Sequence, residues 1–265
     1  MFYQRPTIAP WHWLLPVVML ALTTPVWMGW WEPALFRGLN QHLRWGPDAL
    51  WAALALLGTG WGVMGASAWL MVRLPRAVLA WLCAAPIAGV LTRVGKSFFY
   101  SPRPLELLGT EGIRVVGEPL FVAAMPSGHT MTAFAAAAAV YFSMAPRARA
   151  WHVWLFALAA LVGLSRIAVG AHWPADVVVG AAAGVFSGLA GAWIAQRLPE
   201  SWVQTSSWLM RAVAVFAVYC VYVLWTDEMG FAINMPLQWS LGAFLLICLL
   251  RFLKQSLQGK HHGFD

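Results

Sequence analysis

Apolar runs close to the roughly 20 residues that a helix needs to cross a bilayer recur from one end of this chain to the other. Inside lipid every backbone N–H and C=O must find its partner within the fold, so such runs form transmembrane helices. The expected fold class is an all-α polytopic membrane protein. Composition agrees, because 61% of the 265 residues are hydrophobic and 10% are charged, against about 25% charged in soluble domains.

Eight spans are expected, near 11–31, 49–72, 77–94, 126–144, 150–169, 174–195, 208–225 and 237–253. The first is long for a signal-peptide core and is followed by no small-residue cleavage site, so it reads as a retained helix. Residues 32–48 read as an amphipathic helix along the interface. Residues 105–125 form the longest loop of the core, placed to cover part of a site. Gly180, Gly184 and Gly188 recur every four residues, a packing face that admits a neighbouring helix closely. Residues 1–196 are expected to form a six-span core, and 197–265 two further spans and a tail. Cys83, Cys220 and Cys248 lie inside apolar runs and give neither a disulfide framework nor metal-ligand spacing. His261 and His262 in the tail read as solvated.

The formal charge of +7 falls mainly in short loops, where it orients the helices rather than binding nucleic acid. Cytoplasmic termini place ten Lys and Arg residues inside and seven outside, from Arg37 to Arg166.

Three polar clusters interrupt the apolar sequence. They are Lys96 with Arg103-Pro104, then Pro126-Ser127-Gly128-His129, then Ser165-Arg166 with His172 and Asp176. Alternating helix directions bring all three to one face, the outer face if the charge reading holds. Each residue has a plain explanation alone: snorkelling for Lys96 and Arg103, capping for Ser127, dipole compensation for Asp176. Together they supply cations for phosphate oxygens, a helix start whose N–H groups bind anions, two histidines, and an acid that can fix an imidazole tautomer. That set suits phosphoryl transfer, with one histidine attacking phosphorus and the other protonating the leaving oxygen. Three nearby cations argue against a bound metal.

The spacing of these clusters resembles the three-part signature of the type 2 phosphatidic acid phosphatase (PAP2) family, related to vanadium haloperoxidases. Lys96 and Arg103-Pro104 match its first part, Pro126 to His129 its second, and Ser165-Arg166, His172 and Asp176 its third. The resemblance implies a metal- and cofactor-independent phosphatase with a phosphohistidine intermediate. In it His172 would be the nucleophile, Asp176 its orienting acid and His129 the general acid. Lys96, Arg103, Ser127, Gly128 and Arg166 would hold the phosphate. It also implies a bacterial inner-membrane enzyme whose site faces the periplasm and whose partner is a lipid phosphate. Undecaprenyl diphosphate is the first expected substrate, with phosphatidylglycerophosphate and lipid A as alternatives. A phosphotransferase with a polyprenyl diphosphate donor, a non-catalytic lipid-phosphate binder and a vanadate-dependent oxidase are the rival functions. Spans seven and eight exceed the usual six-helix core. Homodimer contact and lateral lipid access are two roles open to them.

Overall fold

The computed structural model describes residues 8–29 and 32–258. Arg5, the end of the first expected span at Trp30 and Trp31, and the Lys260-His261-His262 tail lie outside the described residues. Within them the fold is helical throughout, with no strand. The principal helices are α1 (Leu15–Leu22), α2 (Pro33–His42), α3 (Asp48–Leu56), α4 (Gly60–Ala66) and α5 (Pro75–Phe99). After these come α6 (Gly128–Phe142), α7 (Trp154–Ala168), α8 (Pro174–Arg197), α9 (Trp208–Thr226) and α10 (Met235–Gln258).

Among the described residues five helical stretches are long and apolar enough to span a bilayer, and α3 with α4 adds a sixth if the bent pair counts as one span. The fourth expected span is a helix of only 15 residues, α6, and is not among the five; the first two are not continuous. The Thr23 and Thr24 hydroxyls donate to carbonyls of the preceding turn, Met19 and Ala21, both at 2.7 Å, and Pro25 follows. Those side chains compete with the helical ladder just where proline lacks its N–H, so the apolar helix from Pro10 stops at Leu22. Residues 49–72 break at Gly58, and α3 and α4 meet at 89°. Thr59 caps the second half by accepting from Gly62 N at 2.9 Å.

At the centre lies α8, packed along α5, α6 and α1. The spacing of its glycines explains the closeness. A methyl group at Gly184 would stand 2.5 Å from Met131 O, and one at Gly188 2.5 Å from Ala135 O. The glycine face is therefore a packing surface against α6, as its spacing predicts. The α9–α10 hairpin packs on α4, and one apolar cluster runs through both parts of the chain, from Leu56 to Phe252. Outward faces carry exposed apolar side chains such as Val90, Val94 and Phe98 on α5 and Val215 and Val218 on α9, as a lipid-facing surface requires.

Helix α2, expected along the interface, buries one side of itself, at Phe36 and Asn40, and leaves most of the other side exposed. Phe36 packs edge-on against Trp173 at 5.4 Å between ring centroids. Asn40 Nδ2 donates to Ile167 O and Ala168 O at 2.9 and 3.2 Å, and its Oδ1 accepts from Arg114 N at 2.8 Å. Asn40 thus ties the loop of residues 105–125 to the end of α7.

Candidate active site

The end of α7 sets the first part of the site. Arg166 stands in its last turn, and the chain reverses through Gly170, whose φ of +79° lies in the left-handed region. That conformation favours glycine, and an added methyl would also meet Arg114 O at 2.7 Å. The turn lets the N–H groups of Ala171 and His172 both donate to Arg166 O, at 3.0 and 3.2 Å. It delivers His172 beside the start of α8.

There Asp176 serves two donors at once. Its Oδ2 accepts from Trp173 N at 2.9 Å, which caps α8, and from His172 Nδ1 at 3.1 Å. One side chain thus makes both the capping contact and the imidazole contact. With Nδ1–H given to Asp176, Nε2 carries the imidazole lone pair. Arg103 Nη1 faces that nitrogen at 3.4 Å. Burial first, then the charges of Arg103, Arg166 and Lys96 and the neighbouring His129, hold the His172 pKa well below its ordinary value. Four of the expected site residues thus oppose its protonation together.

The two arginines differ in a way their sequence contexts do not show. Arg103 is engaged with backbone: Nε donates to Val122 O at 2.7 Å, Nη1 to Ala171 O at 2.9 Å and Nη2 to Ala123 O at 3.3 Å. It fastens the loop of residues 105–125 over the site. Arg166 is 3% exposed, and its Nε and Nη1 have no hydrogen-bond partner among the described residues. A buried guanidinium with unfilled donors is suited to an oxyanion.

Ser127 caps α6, its hydroxyl facing Thr130 Oγ1 at 2.9 Å, while its own N–H donates to Asp176 O at 3.0 Å. This places the start of α6 against the start of α8. The first-turn N–H groups of Gly128 and His129 have no partner within the helix. Lys96, in the last turn of α5, lines a cavity of about 760 Å³ together with Gly128 and His129. A second cavity, of about 210 Å³, reaches His129 and Arg166 from the side of Glu118 and Phe231. His129 borders both.

Sequence reasoning missed three contributors. A methyl at Gly58 would stand 2.7 Å from the His129 Cβ, so the break between α3 and α4 makes room for His129. Asn40 anchors the covering loop, as described above. Phe231, from the loop between α9 and α10, places its ring centroid 5.8 Å from Arg166 Cζ. The glycine at a helix break was the one available signal; Asn40 and Phe231 are joined to the site only by tertiary packing.

A helical membrane bundle thus gathers Lys96, Arg103, Arg166, a helix start and a His172–Asp176 pair at one end of its central helices. The profile of the PAP2 superfamily matches residues 76–200, which contain every one of these site residues. LpxE of Aquifex aeolicus, a solved structure, superposes with a TM-score of 0.52 at 32% identity, covering 60% of this chain and 92% of that one. The lipid A 1-phosphatase of Porphyromonas gingivalis is 41% identical over 73 residues, 28% of this chain and 16% of that protein's length. The chain belongs to the PAP2 superfamily.

Proposed function

We propose that this protein is a membrane lipid phosphatase that transfers the phosphate of its substrate to His172 and then to water. The observation that carries the proposal is the pairing of an imidazole held by Asp176 with the unfilled donors of Arg166. In the first step Nε2 of His172 forms a bond to phosphorus as the bond from phosphorus to the lipid oxygen breaks. His129 donates a proton to that leaving oxygen. In the second step water attacks the phosphohistidine, His129 takes the water's proton, and inorganic phosphate leaves as His172 is restored. Lys96, Arg103, Arg166 and the N–H groups at Gly128 and His129 neutralise the phosphoryl oxygens in both transition states. Ser127 holds the α6 start in place.

The relative named for lipid A favours an acylated lipid bearing a phosphate monoester over the polyprenyl diphosphate expected first. The charge distribution supports a site on the periplasmic face of a bacterial inner membrane, with both termini cytoplasmic. Phosphate release from purified protein tests the reading. Lipid A, phosphatidic acid, phosphatidylglycerophosphate and undecaprenyl diphosphate are to be compared with no second lipid acceptor present. Release that persists in EDTA, is inhibited by vanadate and is lost in His172→Ala is expected. Binding of lipid phosphate without release overturns it in favour of a non-catalytic module, and release only when an acceptor lipid is added marks a phosphotransferase.

A further inference from the structure

We propose that Trp81 is the floor of a groove for the substrate's hydrocarbon chain and sets the chain length that the site accepts, an inference that rests on the lipid-phosphatase reading. The larger cavity does not end at the phosphate site. It continues from Lys96 along one face of α5 past Thr92, Ala88 and Ala85 to Trp81. These positions are spaced by four, four, three and four residues, so they form a single helical stripe. Ala85 and Gly89 on this wall are exposed, so the groove opens sideways toward lipid. A chain whose headgroup is held at Lys96 can therefore enter from the bilayer without leaving it.

The depth of the groove matches one leaflet. From Lys96 to Trp81 is fifteen residues, or about 22 Å at the helical rise. Half of a bilayer of ~40–45 Å, headgroups included, is the same length. Trp81 therefore stands where a chain spanning one leaflet ends.

Beyond Trp81 there is more space. A third cavity, of about 200 Å³, lies between α4, α6 and α7, and both Trp81 and Ala136 line it as well as the groove. The indole is the partition between the two. It is 4% exposed, and its Nε1 has no hydrogen-bond partner among the described residues, so packing alone holds the ring in place. Removing the ring joins the cavities into a longer channel lined by Leu70, Val140 and Leu158. Such a partition admits acyl chains of leaflet length and obstructs a longer polyprenyl chain.

The test uses the full chain purified in detergent, with dilauroyl phosphatidic acid, dipalmitoyl phosphatidic acid and undecaprenyl phosphate as chain probes. p-Nitrophenyl phosphate, which needs the phosphate site alone, reports that the site is intact. Trp81→Ala is expected to raise kcat/KM for undecaprenyl phosphate about tenfold relative to dipalmitoyl phosphatidic acid, on the scale by which apolar pockets discriminate. Gly89→Leu fills the groove at a position where an added methyl meets nothing within 4 Å, so the helix tolerates it. It is expected to lower turnover of all three lipids about tenfold and to spare the chainless ester. An unchanged chain-length profile in Trp81→Ala, or unchanged lipid turnover in Gly89→Leu, overturns the groove while leaving the phosphatase reading standing. Failure of the unaltered protein to release phosphate from any lipid overturns both.

Discussion

Asp176 Oδ2 lies 3.1 Å from His172 Nδ1 while also capping α8 through Trp173 N. The acid fixes the imidazole with Nε2 turned toward the cations. Asp176→Asn keeps the size of the side chain but can present N–H to Nδ1, favouring the wrong tautomer. A fall in kcat of about 10³–10⁴ with little change in KM is expected, measured by steady-state phosphate release. His172→Ala is expected to abolish turnover and to retain lipid binding, as measured by phosphate release beside a lipid-binding assay.

The contrast between the two arginines predicts that activity and stability separate. Arg103→Met leaves the buried Ala171 carbonyl without this donor, at about 1–3 kcal/mol, and removes the part-buried bonds to the Val122 and Ala123 carbonyls. It should lower both activity and Tm. Arg166→Met removes a buried cation whose Nε and Nη1 meet no acceptor among the described residues, so Tm should hold or rise. Its kcat should fall about 10²–10³-fold, the scale of one oxyanion donor. Thermal unfolding in detergent beside kinetics separates the two.

Phe231 gives the C-terminal hairpin a part in the site. Its loop is held by Glu118 N donating to Gly230 O at 3.3 Å and by Asn234 Nδ2 donating to Ala52 O at 2.8 Å. The ring beside Arg166 is a cation–π partner of a desolvated guanidinium, a contact of up to about 2 kcal/mol. Phe231→Ala should weaken vanadate inhibition and kcat/KM by about tenfold, while Phe231→Tyr restores both. Equal losses in the two variants would assign the residue a packing role only.

The depressed His172 pKa sets a pH dependence. As the proposed nucleophile His172 must be neutral, and burial with the charges of Arg103, Arg166 and Lys96 opposes its protonation. The neutral form therefore persists to lower pH than for a free imidazole. The acid limb of kcat/KM, which reports the free enzyme, should fall below the ordinary histidine midpoint of about 6.5. Removing a cation in Arg103→Met or Arg166→Met should move that limb upward. A limb unmoved by either change would separate it from His172.

The helical class and the three clusters are legible in the chain because charge is rare in it. A lysine, two arginines, two histidines and an acid at the ends of apolar runs stand out, and alternating helix direction brings them to one end. The glycine spacing of α8 is equally readable, since it is a local period. Three features are not. The break at Gly58 is hidden in an apolar run whose average hydropathy says only that it is greasy, and its purpose appears when His129 packs against it. The division of labour between Arg103 and Arg166 depends on which carbonyls the covering loop presents. Phe231 lies 65 residues beyond Arg166 in a hairpin outside the matched family region, and nothing local marks it.

The central claim is that phosphate passes through His172. Brief reaction with a lipid carrying radiolabelled phosphate, stopped in alkaline detergent to preserve phosphoramidates, captures the intermediate directly. Peptide mapping is expected to find the label on the His172 peptide and none in His172→Ala. Label on another residue, or label that persists in His172→Ala, would contradict the mechanism.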